Sequence, residues 1–229
     1  MIGREQFVSL LNEGVKQLRD DDYTGAIDKF ETIYKHDRTN TEAGYYLAVA
    51  YANEREYDKA IEVFDEIIVK LDNPLRLMQS HFLLGYIYAV REMFELAELE
   101  FKEVLKLGIV NAQVHAALGY VYHRRKDYAL AVSHLKKALT IDPSNANAHN
   151  SLGFVMAEAG GDIDEAIKEI RDALDLAPEN PAYFDSLGWA YHKKGDSINA
   201  KRYLMKAFEL APYHDEIKEH LRIVRQVSL

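Results

Sequence analysis

The sequence predicts an all-α chain, an α-solenoid of stacked helical hairpins, on three observations. The stretch Ala112 to Asn145, AQVHAALGYVYHRRKDYALAVSHLKKALTIDPSN, places Leu118, Gly119, Tyr122, Asp127, Tyr128, Ala131, Ala138 and Pro143 at offsets that return along the chain with a period of 34 residues. Within each period, apolar residues recur at helical spacing in two runs with a short break between them. The second run closes on Asp142-Pro143, Ala177-Pro178 or Ala211-Pro212, where proline disfavours helix in the residue before it and has no amide to donate. Run, break, run and stop make a hairpin of two helices, A and B.

Six copies align, over residues 7–40, 41–74, 78–111, 112–145, 146–180 and 181–214. Helix A carries Leu at position 7 in copies two to six, and Gly14, Ala48, Gly85, Gly119, Gly153 and Gly188 at position 8. Glycine inside a helix costs about 1 kcal/mol relative to alanine, so its recurrence calls for tight packing. Tyr51, Tyr88, Tyr122, Met156 and Tyr191 at position 11 extend the same stripe. Helix B carries Ala26, Ala60, Ala97, Ala131, Ala166 and Ala200 at position 20, then Phe30, Phe64, Phe101, Leu135, Ile170 and Leu204 at position 24. A residue that small, six times at one place, implies close approach of two helix backbones. Asn180-Pro181 reads as an N-cap followed by proline at the first helical position.

This pattern resembles the tetratricopeptide repeat, whose signature sets Leu-Gly, Tyr, Ala, Phe and Pro at these offsets. The resemblance covers about residues 7–214, and the segments HNSLGFVMAEAGG and FDSLGWAYHKKGD look like bacterial scaffold members of that family. It implies a right-handed superhelix in which all six repeats form a single domain over residues 1–229. Two ligand-binding subtypes of the family are not matched. A carboxylate clamp needs Lys, Asn and Arg where this chain has Leu11, Val15, Tyr46, Gln79 and Leu83. An asparagine ladder needs Asn where Asn12 is followed by Tyr46, Leu83, Ala117, Ser151 and Ser186.

Departures from the period carry their own expectations. Leu75-Arg76-Leu77 is an insertion expected to lengthen the start of the third A helix, and Gly160-Gly161 adds one residue to a turn. In the stretch from Asp215 to Leu229, Ile217, Leu221 and Val224 share one helical face, which predicts a capping helix over the end of the core. Copy one has Glu13 and Gln17 in place of its siblings' apolar residues, while Val8, Leu11, Val15 and Leu18 form a separate stripe. Either the first helix is rolled, or that stripe is an N-terminal interface that docks another chain, a second copy included.

At roughly 100° per residue, positions 2, 5, 9 and 12 of helix A point away from the core stripe, and the family resemblance places them on a concave groove. Position 9 reads Val15, Val49, Tyr86, Tyr120, Phe154 and Trp189, with Tyr45, Tyr46 and Phe82 on the same wall. A solvated face should be polar, so this aromatic rail predicts a surface that is covered, by a peptide or helix of a partner, by another copy, or by a neighbouring element of the chain. Packing between adjacent A helices is the structural alternative. His123, Arg124, His192 and Lys193 add basic character at positions 12 and 13, beside Arg125, Lys126 and Lys194. They suit an acidic partner with apolar or aromatic anchors, and they equally complement the helix dipole.

The remaining signals are exclusions. His81, His115 and His149 fall one repeat apart, but stacked helices lie about 10 Å apart, too far for three imidazoles to share one metal ion. They are expected to replace a bulky packing residue, with no metal and no cofactor. No phosphate loop, zinc motif, dinucleotide fingerprint or nucleophile elbow occurs, so the chain does not read as an enzyme. A net charge of −9 argues against nucleic acid as a partner, and the absence of Cys excludes disulfides. No stretch approaches the ~20 apolar residues of a membrane span, and the start MIGREQFVSLLNEG lacks a secretion signal, which predicts a cytoplasmic protein that does not insert in a membrane. The expected function is a non-catalytic scaffold or adaptor that binds a protein segment in the aromatic groove. A self-assembling structural protein and a chaperone for secretion or membrane-complex assembly are the alternatives.

Overall fold

Each A helix after the first begins at an asparagine, because an Asn side chain can accept from an amide that the first helical turn leaves without a partner. Asn40, Asn73, Asn111, Asn145 and Asn180 all make this bond, and Asp22, Asp127, Asp162 and Asp196 do the same for B helices. The computed structural model describes residues 3–108 and 111–227, in which these caps separate thirteen helices with no strand. The six hairpins are α1 (Arg4–Arg19) with α2 (Tyr23–His36), α3 (Thr41–Asn53) with α4 (Tyr57–Ile68), α5 (Pro74–Val90) with α6 (Phe94–Lys106), α7 (Ala112–Arg124) with α8 (Tyr128–Ile141), α9 (Ala146–Glu158) with α10 (Ile163–Leu176), and α11 (Pro181–Lys194) with α12 (Ser197–Leu210). The last helix, α13 (Asp215–Val227), packs on α11 and α12.

Within every hairpin the turn is the same device. Asp21, Arg55, Glu92, Lys126, Gly160 and Gly195 all adopt positive φ at equivalent positions. The next residue's amide then reaches back to the carbonyl of Gln17, Tyr51, Tyr88, Tyr122, Met156 or Tyr191 in a Schellman closure that ends helix A. Four non-glycine residues accept the left-handed conformation because this closure satisfies the helix's last carbonyls.

The close approach read from the small residues is present. The six position-20 alanines are fully buried, as are Phe30, Phe64 and Phe101 at position 24. A Cβ added to Gly119 would lie 2.6 Å from Leu135, and one added to Gly153 would lie 2.4 Å from the Ala166 carbonyl oxygen. A side chain can yield at the first place, whereas backbone blocks the second.

The chain divides into two compact units, Met1–Ile109 and Val110–Leu229. The first holds α1–α6 and centres on Phe30, Tyr51, Phe64, Leu84 and Ile87. The inserted residues there lengthen α5 at its start, with Asn73 capping the added turn. The second unit holds α7–α12 and is closed by α13, whose Ile217, Leu221 and Val224 are all buried.

Candidate functional site

In the first unit the groove positions are largely occupied by the protein itself. Tyr45, expected on the groove wall, is only 8% exposed and packs at the edge of Phe64 and Tyr46. The inserted Arg76 covers it: its guanidinium lies 4.2 Å from the Tyr45 ring centroid and 4.8 Å from that of Tyr46, and it donates to the Tyr46 hydroxyl at 2.8 Å. Tyr46 and Val49 are half-buried against the core, and Phe82 tilts onto Phe101. Tyr86 alone among these is well exposed, at 55%. Leu11, Val15 and Leu18 of the N-terminal stripe also pack partly on the core, leaving Val8 as its exposed member.

The second unit brings its groove residues together. A pocket of about 590 Å³ opens among α7, α9, α11 and α13, walled by Tyr120, His123, Phe154 and Trp189. Helical spacing places Tyr120, Phe154 and Trp189 at one position of three successive A helices, so their side chains line one face. His123 meets the Phe154 ring edge-on at 5.6 Å. Arg124 donates to the Tyr120 hydroxyl at 2.7 Å and lies over that ring. Trp189 donates its indole N–H to Glu158 at 2.6 Å, and Lys193 pairs with the same carboxylate at 3.0 Å.

The inner end of the pocket is polar. Asp185, on α11, is buried with its side chain 9% exposed, and its Oδ2 meets Nδ1 of His220 on α13 at 2.8 Å. The His220 ring stacks on Trp189 with centroids 4.2 Å apart. Asp185 Oδ1 has no hydrogen-bond partner among the described residues, and neither does Oδ1 of Asn150, which holds the equivalent position on α9. Both residues line the pocket. Polar residues at a groove position are ordinary in a sequence, so nothing in the pattern marks Asn150 and Asp185. His220 left a faint trace, since it sits on the buried stripe of α13 between Ile217 and Leu221.

Burial and charge set the titrating groups here. Burial pushes His123 below the ordinary histidine range, with Arg124 adding to the effect. His192 is lowered likewise, by burial first and then by Lys193 and His220. Burial would raise Glu158, but the hydrogen bonds from Trp189 and Lys193 outweigh it and hold the carboxyl below its usual value.

The three spaced histidines are held within their own hairpins. Nδ1 of His81 meets Glu100 at 2.7 Å, that of His115 meets His134 at 3.0 Å, and that of His149 meets Glu169 at 2.7 Å. Phe184 stacks on Tyr203 at the same pair of positions in the sixth hairpin, so the site serves packing between helices A and B. Asp172 brings a second carboxylate within 4.8 Å of the His149–Glu169 pair. The other ring nitrogen of His149 is bonded to the Pro143 carbonyl at 3.0 Å.

Comparison with known proteins supplies the family context. Two family models described as "Tetratricopeptide repeat" match residues 17–77 and 182–214, and one described as "TPR repeat" matches residues 119–160. No curated protein matches the chain. Among solved structures, the chain is similar to YrrB, described as a TPR protein with an unusual peptide-binding site. It is 22% identical over 83% of this chain and 96% of that one, with a TM-score of 0.63. PilF of Pseudomonas aeruginosa is 17% identical over 94% of this chain and 96% of its own, with a TM-score of 0.76. The Cut9–Hcn1 hetero-tetramer of the APC/C gives 19% identity and a TM-score of 0.77, with 95% of this chain matched to 42% of that one.

Proposed function

Because the chain belongs to the tetratricopeptide repeat family, whose fold is generally a non-catalytic protein-interaction fold, we propose that it is a scaffold or adaptor that binds a segment of a partner protein in the second unit's pocket. The observation that carries this reading is the wall of Tyr120, Phe154 and Trp189 around a pocket of about 590 Å³. Apolar or aromatic anchors of a peptide fit such a wall, as concave sites with a few polar groups ordinarily take their ligands. The similarity to a peptide-binding TPR protein supports the same reading.

The fit to an acidic partner is weaker than the sequence suggested. Lys193 is paired with Glu158, Lys194 with Asp164 at 2.5 Å, and Arg124 with the Tyr120 hydroxyl, so these three cations already have partners. Self-assembly through the N-terminal stripe has little surface to use, since three of its four residues lean on the core.

The test is a comparative pull-down with Tyr120→Ala/Phe154→Ala against wild type, quantified by mass spectrometry. These two positions are preferable to Trp189, whose removal would also undo the contact with α13. At least one protein recovered by wild type should be depleted at least about fivefold by the variant, a loss of roughly 1 kcal/mol of binding. Identical recovery across every captured protein would count against the pocket.

A further inference from the structure

The aromatic wall says little about which side chain a partner inserts; the polar floor says more. Asp185 is a carboxylate with nine-tenths of its side chain buried, one oxygen met by His220 and the other with no donor among the described residues. Asn150 presents a second buried oxygen with no donor from the equivalent position one repeat earlier. Buried acceptors of this kind are costly, and the cost is largest for a charged group. Both belong to residues that line the pocket together with Phe154. We infer that this pocket is a subsite for a basic side chain of the bound partner, arginine fitting best, whose entry turns the closed-off Oδ1 atoms of Asp185 and Asn150 toward its N–H groups.

The chemistry favours that occupant over the others. A neutral apolar side chain would leave both oxygens without a donor, and an acidic one would set a second carboxylate against Asp185. A guanidinium offers five donors in a fixed plane, enough to meet two acceptors at once, and its flat face stacks on an aromatic ring. Glu216 on the rim adds a further negative charge. Arg124 also lines the pocket, but its guanidinium is exposed and held at the Tyr120 hydroxyl, where solvent screens its charge.

The inference rests on the reading of the pocket as a peptide site, and one experiment separates the two. A phage library of random decapeptides is selected on the full chain, and enriched peptides are synthesised and titrated by the fluorescence of Trp189, the only tryptophan. Enrichment of Arg or Lys beside apolar residues is expected. Replacing that Arg by Gln, or Asp185→Asn in the protein, should weaken binding at least about tenfold, as loss of a charge-assisted hydrogen bond does. Asp185→Asn also touches His220, so Asn150→Asp, which leaves that contact intact, is the second variant and should tighten binding. Peptides that alter Trp189 emission but tolerate Arg→Gln, or that are enriched in acidic residues, would overturn the basic subsite and leave the groove standing. If no selected peptide alters Trp189 emission, the pocket reading and the subsite fall together.

Discussion

His149 and His115 hold the same position in adjacent repeats and meet opposite partners. Burial alone would lower both. For His149 the bonds to Glu169 and the Pro143 carbonyl outweigh burial, so its pKa is raised from the ordinary 6.5. For His115 burial leads and Lys137 adds to it, so its pKa is lowered. The two therefore act on stability in opposite directions. The raised His149 contributes stability that is full below its unfolded value and is lost as pH rises through its folded value. The lowered His115 costs stability as pH falls below its unfolded value, because the unfolded chain then binds the proton more readily. An NMR titration should place His149 above 6.5 and His115, His123 and His192 below it, with Glu169→Gln bringing His149 down. At this scale the sequence was readable where a residue packs and unreadable where it meets a distant partner. The recurrence of Ala131 signals its burial, whereas Tyr45 holds a groove position in the sequence and is covered by Arg76 in the structure.

Helix boundaries were legible because their causes are local. Asn at the end of one copy caps the next helix, and proline stops B in the last three hairpins, so these ends follow from three or four neighbouring residues. The exceptions point to a repair. Helix α6 begins after Met93, a residue with no side-chain acceptor, at the place where Asp127, Asp162 and Asp196 cap their helices. Met93 is 41% exposed and contributes modest apolar burial. Met93→Asp should stabilise the protein by about 1 kcal/mol, read as a higher denaturation midpoint with an unchanged slope. An unchanged or lower midpoint would mean that Met93 packing outweighs the cap.

Across the whole chain, six hairpins repeat one set of packing rules, and α13 breaks the repetition with a double role. Its Ile217, Leu221 and Val224 cover the apolar end of the second unit, as their spacing foretold. Its His220 also stacks on Trp189 and binds Asp185, so the helix that caps the core finishes the pocket. Ile217→Ala should cost about 3 kcal/mol, typical of a buried aliphatic truncation. Because Ile217 lines the pocket too, the same variant should shift Trp189 emission to the red before global unfolding. Loss of stability without that spectral change would show that α13 is a cap alone.

The sequence by itself determined the repeat, its hairpins, its caps and the small residues where helices touch. Each of these is set by a residue's own conformational preference or by a contact one turn or one hairpin away, and periodicity then multiplies the signal six times. Tertiary structure decided which groove residues remain available. Arg76 fills the wall beside Tyr45 and Tyr46 in the first unit, while His220 leaves a pocket floored by Asn150 and Asp185 in the second. Those outcomes hang on single residues of non-repeating segments, an inserted turn and a capping helix. No period carries them, so only folding that brings Arg76 onto Tyr45 and His220 onto Asp185 can reveal them.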